Sequence, residues 1–447
     1  MTDNYVVWHC HSDLSNGVTN IDSVTKYKEY VEYAKSLGMT ALAFAEHGNI
    51  FEWVHKKESI EAAGMKYIHA AEVYLTDNNN SKNITYSAID LFLSAQSKKD
   101  IRVKIKDYHQ REDGAWIATI DDEKHPNYGK VTLIDIDSLE KECVKHRDNY
   151  HCVLIAKNYD GVKELNKLIS SSFNRNDYHY YYAPRIGLDE LYATSDNIIV
   201  TTACLGGVLN KADNTLKTEF LKFLIKNKDR CYLEIQHHNC IDQANYNKLL
   251  YAIHQKTGIP LIAGTDTHCL NDTHIEGRSI LQKAKNVFFS DEESWDLTFK
   301  TYDELIEAYR KQNALPEEVY LQAIENTNVM ADSVEEFKLD YSKKYPKLYN
   351  DSEKALKEKI VQGIKNRGVN KYDNFNEYKK KIQYELETYK YNGAMDFLLL
   401  EEDYKSALKK QGVSYGYSRG SVSGSIIAYL LGITEVDSIK YNLNFER

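Results

Sequence analysis

The feature that most constrains this chain is a series of short apolar runs, each bordered by a residue able to hold a metal ion. The first is Trp8-His9-Cys10-His11. In an extended strand successive side chains point to opposite faces, so His9 and His11 project together while Cys10 faces away. The run from Ala41 to Ala45 leads into Glu46-His47, that from Tyr67 to Ala71 leads into Glu72, and His151 opens the run from Cys152 to Ala156. Farther on, Asn197 to Ala203 leads into Cys204, Cys231 to Gln236 into His237-His238, and Pro260 to Ala263 into Thr265-Asp266-Thr267-His268. A lone His-x-His says little, and Cys204 alone also suits a small buried apolar residue. Seven such borders in register point instead to a polynuclear metal site at the strand ends of a β/α barrel, where active sites of that fold gather. Histidine, thiolate and carboxylate together suit Zn²⁺, Mn²⁺ or Fe²⁺ better than Mg²⁺, and clustered cations of this kind suit phosphoester hydrolysis.

Around these borders β-like and α-like segments alternate to about residue 285. Helical spacing runs from Ile21 to Leu37, with Ser23 as the expected N-cap. Residues 77–146 break the rhythm and read as an insertion with two β-like runs, Ala115 to Ile120 and Lys130 to Ile136. The insertion's His109, His125 and His146 are expected to be solvated surface residues. Helical patterns dominate after 285: Tyr302 to Tyr309, Glu317 to Met330, Ser352 to Gly363 and the charged run Glu377 to Tyr391. A length of 447 residues suggests two to three domains. The net charge of −9 argues against the whole chain being a basic sleeve for nucleic acid, although local patches remain free to hold a strand. Seven scattered cysteines, no basic-then-apolar start and no long apolar run lead to the expectation of a cytoplasmic protein with no membrane partner.

Residues 5 to about 285 resemble the PHP (polymerase and histidinol phosphatase) domain. The resemblance implies a distorted seven-stranded β/α barrel with up to three divalent metals. Its ligand motifs fall on His9, His11, Asn16, His47, Glu72, His151, Cys204, Asp266 and His268. An aspartate is usual where Asn16 stands, so one metal is expected to bind more loosely, or Asp13 to substitute. Of the two histidines after Gln236, the family pattern favours His238 as the one facing the site.

A second resemblance lies near the C-terminus, in Tyr417-Ser418-Arg419-Gly420-Ser421-Val422-Ser423-Gly424-Ser425, the apolar Ile426 to Leu431, and Asn444-Phe445-Glu446-Arg447. Small residues let backbone N–H groups close on a phosphate, a following helix favours the anion at its N-terminus, and Arg419 could add a bidentate contact. This segment is similar to the Gly-Ser region of the palm in bacterial family C replicative DNA polymerases, the DNA polymerase III α type. That resemblance makes Arg419, Gly420, Ser421, Gly424 and Ser425 candidate nucleotide-binding residues. It also divides the chain into a PHP metal-dependent phosphoesterase domain at 1–285 and the N-terminal portion of a mostly helical, incomplete palm at 286–447. The Pro-Asp-x-Asp-x-Asp strand whose carboxylates hold catalytic Mg²⁺ in such palms does not occur in this sequence, and Asp437 is not placed as a ligand by the family motif.

The expectation is therefore a replicative polymerase segment that does not extend DNA alone. Its PHP site is expected to remove nucleotides from a DNA 3′ end, a 3′→5′ proofreading exonuclease. The remainder of the polymerase, with Mg²⁺ and dNTP, would come from elsewhere, such as a separate chain, alongside other replisome subunits. Two alternatives stand beside it: a free-standing small-molecule phosphatase, which would not need residues 400–447, and a non-catalytic assembly module of a split polymerase.

Overall fold

The computed structural model describes residues 4–77, 84–122, 125–143, 148–175, 179–287 and 295–446. The chain forms two compact units, Met1–Lys338 and Leu339–Arg447. The sequence reading set its boundary at 285, whereas the helices Tyr302–Gln312 and Glu317–Ser333 belong to the first unit. Among the described residues no helix is long and apolar enough to cross a membrane.

The strands in chain order are β1 Ala41–Phe44, β2 Lys66–Thr76, β3 Ile84–Asp90, β4 Arg102–Gln110, β5 Trp116–Ile120, β6 Val131–Cys143, β7 Tyr150–Ala156, β8 Tyr180–Tyr181, β9 Ala183–Gly187, β10 Ile198–Thr201, β11 Cys231–Gln236 and β12 Leu261–Gly264. The main sheet is a curled α/β layer in the order β12-β11-β10-β7-β2-β9-β8, with β1 also paired to β2. The segment around Val7 to His11 bridges its two ends. Ala43 N–H donates to Val7 O at 3.0 Å on the β1 side, and His11 N–H donates to Thr267 O at 2.7 Å beyond β12. The Val7–His11 segment with β1, β2, β7, β10, β11 and β12 thus surrounds one core as a distorted barrel of seven strand-like segments, and β9 and β8 extend the sheet from β2.

Alternation along each strand builds two apolar layers. Trp8, Ala43, Ile68, Val153, Ile155, Ile199 and Ile262 pack together with Met330 of the last helix of the unit and with Val334, its C-cap. The other face, with Leu42, Phe44, Leu154, Val200, Leu233 and Leu261, packs under helical residues such as Tyr30, Leu165, Phe220 and Leu250. Cys10 joins that outer layer, as its alternation from His9 and His11 requires.

Strand direction decides where polar residues collect. β7 runs antiparallel to β2 and β10, while β10, β11 and β12 are mutually parallel, as are β1 and β2. The start of β7, which carries His151, therefore lies at the same end as the C-terminal ends of β1, β2, β10, β11 and β12. The opposite end is covered by the helix Glu317–Ser333, where Lys66 Nζ donates to Ala331 O and Val334 O.

The insertion is a small fold of its own. β3, β4, β5 and β6 form a closed four-stranded barrel around Ala88, Val103, Ile105, Ala118, Ile120 and Ile134. His109 is exposed, His125 accepts from Asn127 N–H in a turn, and His146 lies outside the described residues. The helix expected from Ile21 spans only Tyr27–Ser36, with Lys26 as its N-cap. Ser23 is instead spent on a long-range contact, its hydroxyl donating to His268 O at 2.6 Å.

The second unit packs the helices Ser352–Arg367, Phe375–Tyr391 and Met395–Lys410 around Leu356, Ile360, Ile382, Leu399, Ile426 and Ile427.

Candidate metal centre

Three groups of donor atoms, each within 4.8 Å of one another, gather at the ligand-bearing end of the barrel. They are His11, Asp22, His47 and His268; His9, His11 and Asp266; and Glu72, His151 and Cys204. Eight of the nine sequence-derived ligand positions are brought together in this way. Asn16 is the exception, and Asp22 stands in the cluster instead.

The reason lies in the loop after His11. Asn16 Oδ1 accepts from Asp22 N–H at 2.6 Å and Ser23 N–H at 3.1 Å, and its Nδ2 donates to Ser23 O at 2.7 Å. Both ends of the amide are committed to the backbone, so Asn16 shapes the loop that presents Asp22. Asp13 sits half-buried outside the three groups and does not substitute. Asp22 escaped the sequence reading because it borders no strand. Its one signal was a lone acid just ahead of a helix.

The spacing within the cluster is informative. His9 Nε2 and His11 Nε2 each lie 3.3 Å from Asp266 Oδ1, and His47 Nε2 and His268 Nε2 lie 3.3 and 3.4 Å from Asp22 Oδ1. Two donors bound about 2.0–2.1 Å from one tetrahedral ion stand roughly 3.3–3.4 Å apart. Direct N–H···O bonds are usually shorter, about 2.7–3.2 Å. Moreover His9 Nε2, His11 Nε2, Asp22 Oδ2 and Asp266 Oδ1 are all buried without a hydrogen-bond partner among the described residues, while His47 Nδ1 and Glu72 Oε2 lie 2.8 Å from each other. Buried polar atoms are nearly always satisfied, so a concentration of orphans aimed at one volume fits bound cations. Asp266 is held with a positive φ of 45°, a strained backbone of the kind found at functional sites.

Charge is arranged to match. Burial would raise the Asp22, Glu72 and Asp266 carboxyls, but the surrounding imidazoles hold all three well below the usual carboxylate range. The imidazoles are driven apart. Burial together with His47 and His268 lowers His11 to about 4, while burial of His9 and His47 is outweighed by Glu234 and Asp22 respectively, raising both. Burial, with Asp266 and Glu72 nearby, pushes the Cys204 thiol up.

Supporting groups lie behind the ligands. Glu46, fully buried, accepts from Ser12 Oγ at 2.5 Å, Ser15 Oγ at 2.6 Å and Lys56 Nζ at 2.5 Å, and Ser15 Oγ in turn lies 3.2 Å from His11 Nδ1. Gly206 leaves room for His151, whose ring an added Cβ would meet at 2.9 Å. His238 belongs to none of the three groups and stacks on Trp295 at 5.2 Å, while His237 packs near Tyr309.

In the second unit the Gly-Ser motif divides. Arg419, Gly420 and Ser421 are exposed. Gly424 is buried, and an added Cβ would meet Asn444 O at 2.0 Å, so its bareness serves backbone packing. Ser425 and the following helix amides are already engaged: Glu385 accepts from Ser425 Oγ at 2.8 Å and from Ile426 and Ile427 N–H at 3.0 Å each. The anion expected at that helix start is therefore a side chain of the protein itself. Asp437 is likewise structural, accepting from Tyr378 Oη at 2.8 Å.

Comparison with known proteins agrees with this architecture. Residues 8–238, more than half of the chain, match the family described as PHP domain, and the chain belongs to that family. Residues 354–447 match the family described as bacterial DNA polymerase III alpha NTPase domain. Across its length the chain is similar to the DNA polymerase III subunit alpha of Borreliella burgdorferi, with 28% identity over 99% of this chain and 34% of that protein. The corresponding protein of Aquifex aeolicus is 27% identical over 100% of this chain and 35% of its own length. The chain thus spans about a third of the length of these curated relatives. A solved putative metal-dependent phosphoesterase from Bifidobacterium adolescentis is 14% identical, covering 68% of this chain and 96% of its own, with a TM-score of 0.27, too slight a likeness to bear on fold or function.

Proposed function

We propose that this chain is part of a DNA polymerase III α-type replicative polymerase and that its barrel carries a metal-dependent phosphoesterase site acting on DNA 3′ ends. The observation that carries the reading is the set of orphaned, buried donor atoms at one end of the barrel, with His9 Nε2 and His11 Nε2 each 3.3 Å from Asp266 Oδ1. His9, His11, Asp22, His47, Glu72, His151, Cys204, Asp266 and His268 would hold up to three divalent cations such as Zn²⁺, Mn²⁺ or Fe²⁺. Divalent cations supply Lewis acidity, acidifying water and offsetting the charge of a phosphodiester.

The chain's own residues do the rest. Asp22, Glu72 and Asp266, held ionised, supply the negative charge that would draw divalent cations, which on binding would displace the protons these carboxylates favour on His9, His47 and His268. His151, the least buried of these ligands at 25% side-chain exposure, stands at the solvent side, where a strand end would enter. Similarity to DNA polymerase III alpha subunits supports DNA as the substrate, on which a phosphoesterase site would act as a proofreading 3′→5′ exonuclease. Arg419, Gly420 and Ser421 are the exposed residues left to meet a nucleotide triphosphate, whose transfer would need Mg²⁺ carboxylates from the remainder of the polymerase.

The test is incubation with a primed DNA template, all four nucleotides and Mn²⁺. Primer shortening that Asp266→Asn abolishes supports the reading. Extension by this chain alone, or shortening that survives Asp266→Asn, overturns it.

A further inference from the structure

Behind the cluster lies a buried carboxylate that belongs to none of the three donor groups. Glu234, on β11, is fully buried, and among the described residues no lysine or arginine pairs with it. A buried anion that leans on a histidine rather than on a lysine or arginine is costly, so its place calls for a reason. Its Oε1 lies 2.6 Å from His9 Nδ1 and also accepts from Gln236 Nε2 at 2.8 Å, while Oε2 accepts from Thr201 Oγ1 at 3.1 Å. The glutamate is thus fixed from two neighbouring strands and turned toward His9.

Space for it is reserved on a third strand. β11 and β12 pair in parallel with Gln236 opposite Gly264, and a Cβ added to Gly264 would lie 2.0 Å from Glu234 Oε1. Gly264 does not adopt a left-handed φ, so nothing in its backbone demands glycine. The missing side chain makes room for the carboxylate.

We infer that Glu234 is a positioning residue for the metal centre: it takes the Nδ1 proton of His9 in a hydrogen bond, fixing the tautomer and ring so that the bare Nε2 points at the cation shared with Asp266. His9 Nε2, 3.3 Å from Asp266 Oδ1 and without a hydrogen-bond partner, is the atom so directed. Of the other three such histidines, His47 has its Nδ1 2.8 Å from Glu72 Oε2, itself a cluster ligand, and two are backed by weaker acceptors. His11 Nδ1 meets the Ser15 hydroxyl at 3.2 Å, and His268 Nδ1 meets the Asp266 carbonyl at 2.8 Å. A carboxylate partner makes an imidazole a better donor, so the ion at His9 should be held most dependently on its second partner.

This inference rests on the reading of the cluster as a metal centre, and the experiment separates the two. Metal-free wild type, Glu234→Ala, Glu234→Gln, Gly264→Ala and His9→Ala are titrated with Co²⁺, following its visible spectrum and the ions bound per chain, and each metal-free protein is melted. Glu234→Ala and Gly264→Ala should bind the ion lost in His9→Ala about 10–100-fold more weakly than wild type. Glu234→Gln, which can still accept the Nδ1 proton, should fall between them. The metal-free Glu234→Ala protein should melt lower than wild type, because it strands the His9, Gln236 and Thr201 donors, so the discriminating readout is the Co²⁺ affinity, which a merely structural glutamate would leave alone. Gly264→Ala keeps every polar group and carries the test should Glu234→Ala not fold. Wild-type affinity and spectrum in both Glu234→Ala and Gly264→Ala would overturn the inference. Absence of Co²⁺ binding by wild type would instead overturn the metal-centre reading beneath it.

Discussion

Replacing Asn16 by aspartate separates the two accounts of the first ligand loop. On sequence alone the change restores a carboxylate at a family ligand position and should tighten metal binding. In the structure both ends of the Asn16 amide are used by the backbone at Asp22 and Ser23. Aspartate keeps the acceptor but replaces Nδ2 with an oxygen 2.7 Å from the Ser23 carbonyl, acceptor against acceptor. Leaving such a partly buried group unsatisfied costs about 1–3 kcal/mol. The loop relaxes by moving Asp22, and loss of a supporting partner typically weakens a metal site about 10–100-fold, roughly 1.4–2.7 kcal/mol, which is the same range. Chelator-competition titration with Zn²⁺ or Mn²⁺ on wild type, Asn16→Asp and Asp22→Asn measures this directly. Both variants should bind more weakly, Asp22→Asn at least as weakly as Asn16→Asp. Tighter binding by Asn16→Asp would refute the assignment of Asp22.

Three further outcomes follow from particular contacts. Lys56→Met strands the buried Glu46 carboxylate that supports Ser12 and Ser15 and should destabilise the first unit by about 3–5 kcal/mol in denaturant unfolding. In the second unit Glu385→Ala removes the acceptor of three buried donors and should cost about 1–3 kcal/mol, read as an earlier unfolding transition, while leaving metal content unchanged. Stripping metal with a chelator should lower the melting temperature of the barrel, because a ligand at about a hundred times its Kd contributes roughly 2.7 kcal/mol.

The barrel ligands were legible because a strand end is a sequence event: an apolar run stops and a donor follows. His47, Cys204, Asp266 and His268 all obey this, and His151 obeys it in reverse because β7 runs antiparallel, whereas Glu72 lies within β2, which continues past it to Thr76. Asp22 was not legible, since it reaches the cluster from a loop whose shape depends on the Asn16 amide and on Ser23 reaching His268. Contact over such sequence separation leaves no local pattern. The same holds for Glu234 and Glu46, which read as ordinary strand and loop acids until folding buries them beside His9 and Ser15. In the Gly-Ser region composition suggested a free helix start, but Glu385, forty residues earlier than Ser425, occupies it. The insertion showed two of its four strands, β5 and β6; β4 alternates buried Val103 and Ile105 with charged neighbours only as far as Lys106 and is then without a buried face, too short an amphipathic stretch to stand out.

The central claim, a polynuclear metal centre built on His9, His11, Asp22, His47, Glu72, His151, Cys204, Asp266 and His268, is tested most directly by elemental analysis of the purified, exhaustively dialysed protein. The account predicts more than one transition-metal ion per chain, with at least one lost from the His9→Ala, His11→Ala double variant. Wild-type protein that is folded, yet holds only trace metal even after incubation with Zn²⁺ and Mn²⁺, would contradict it.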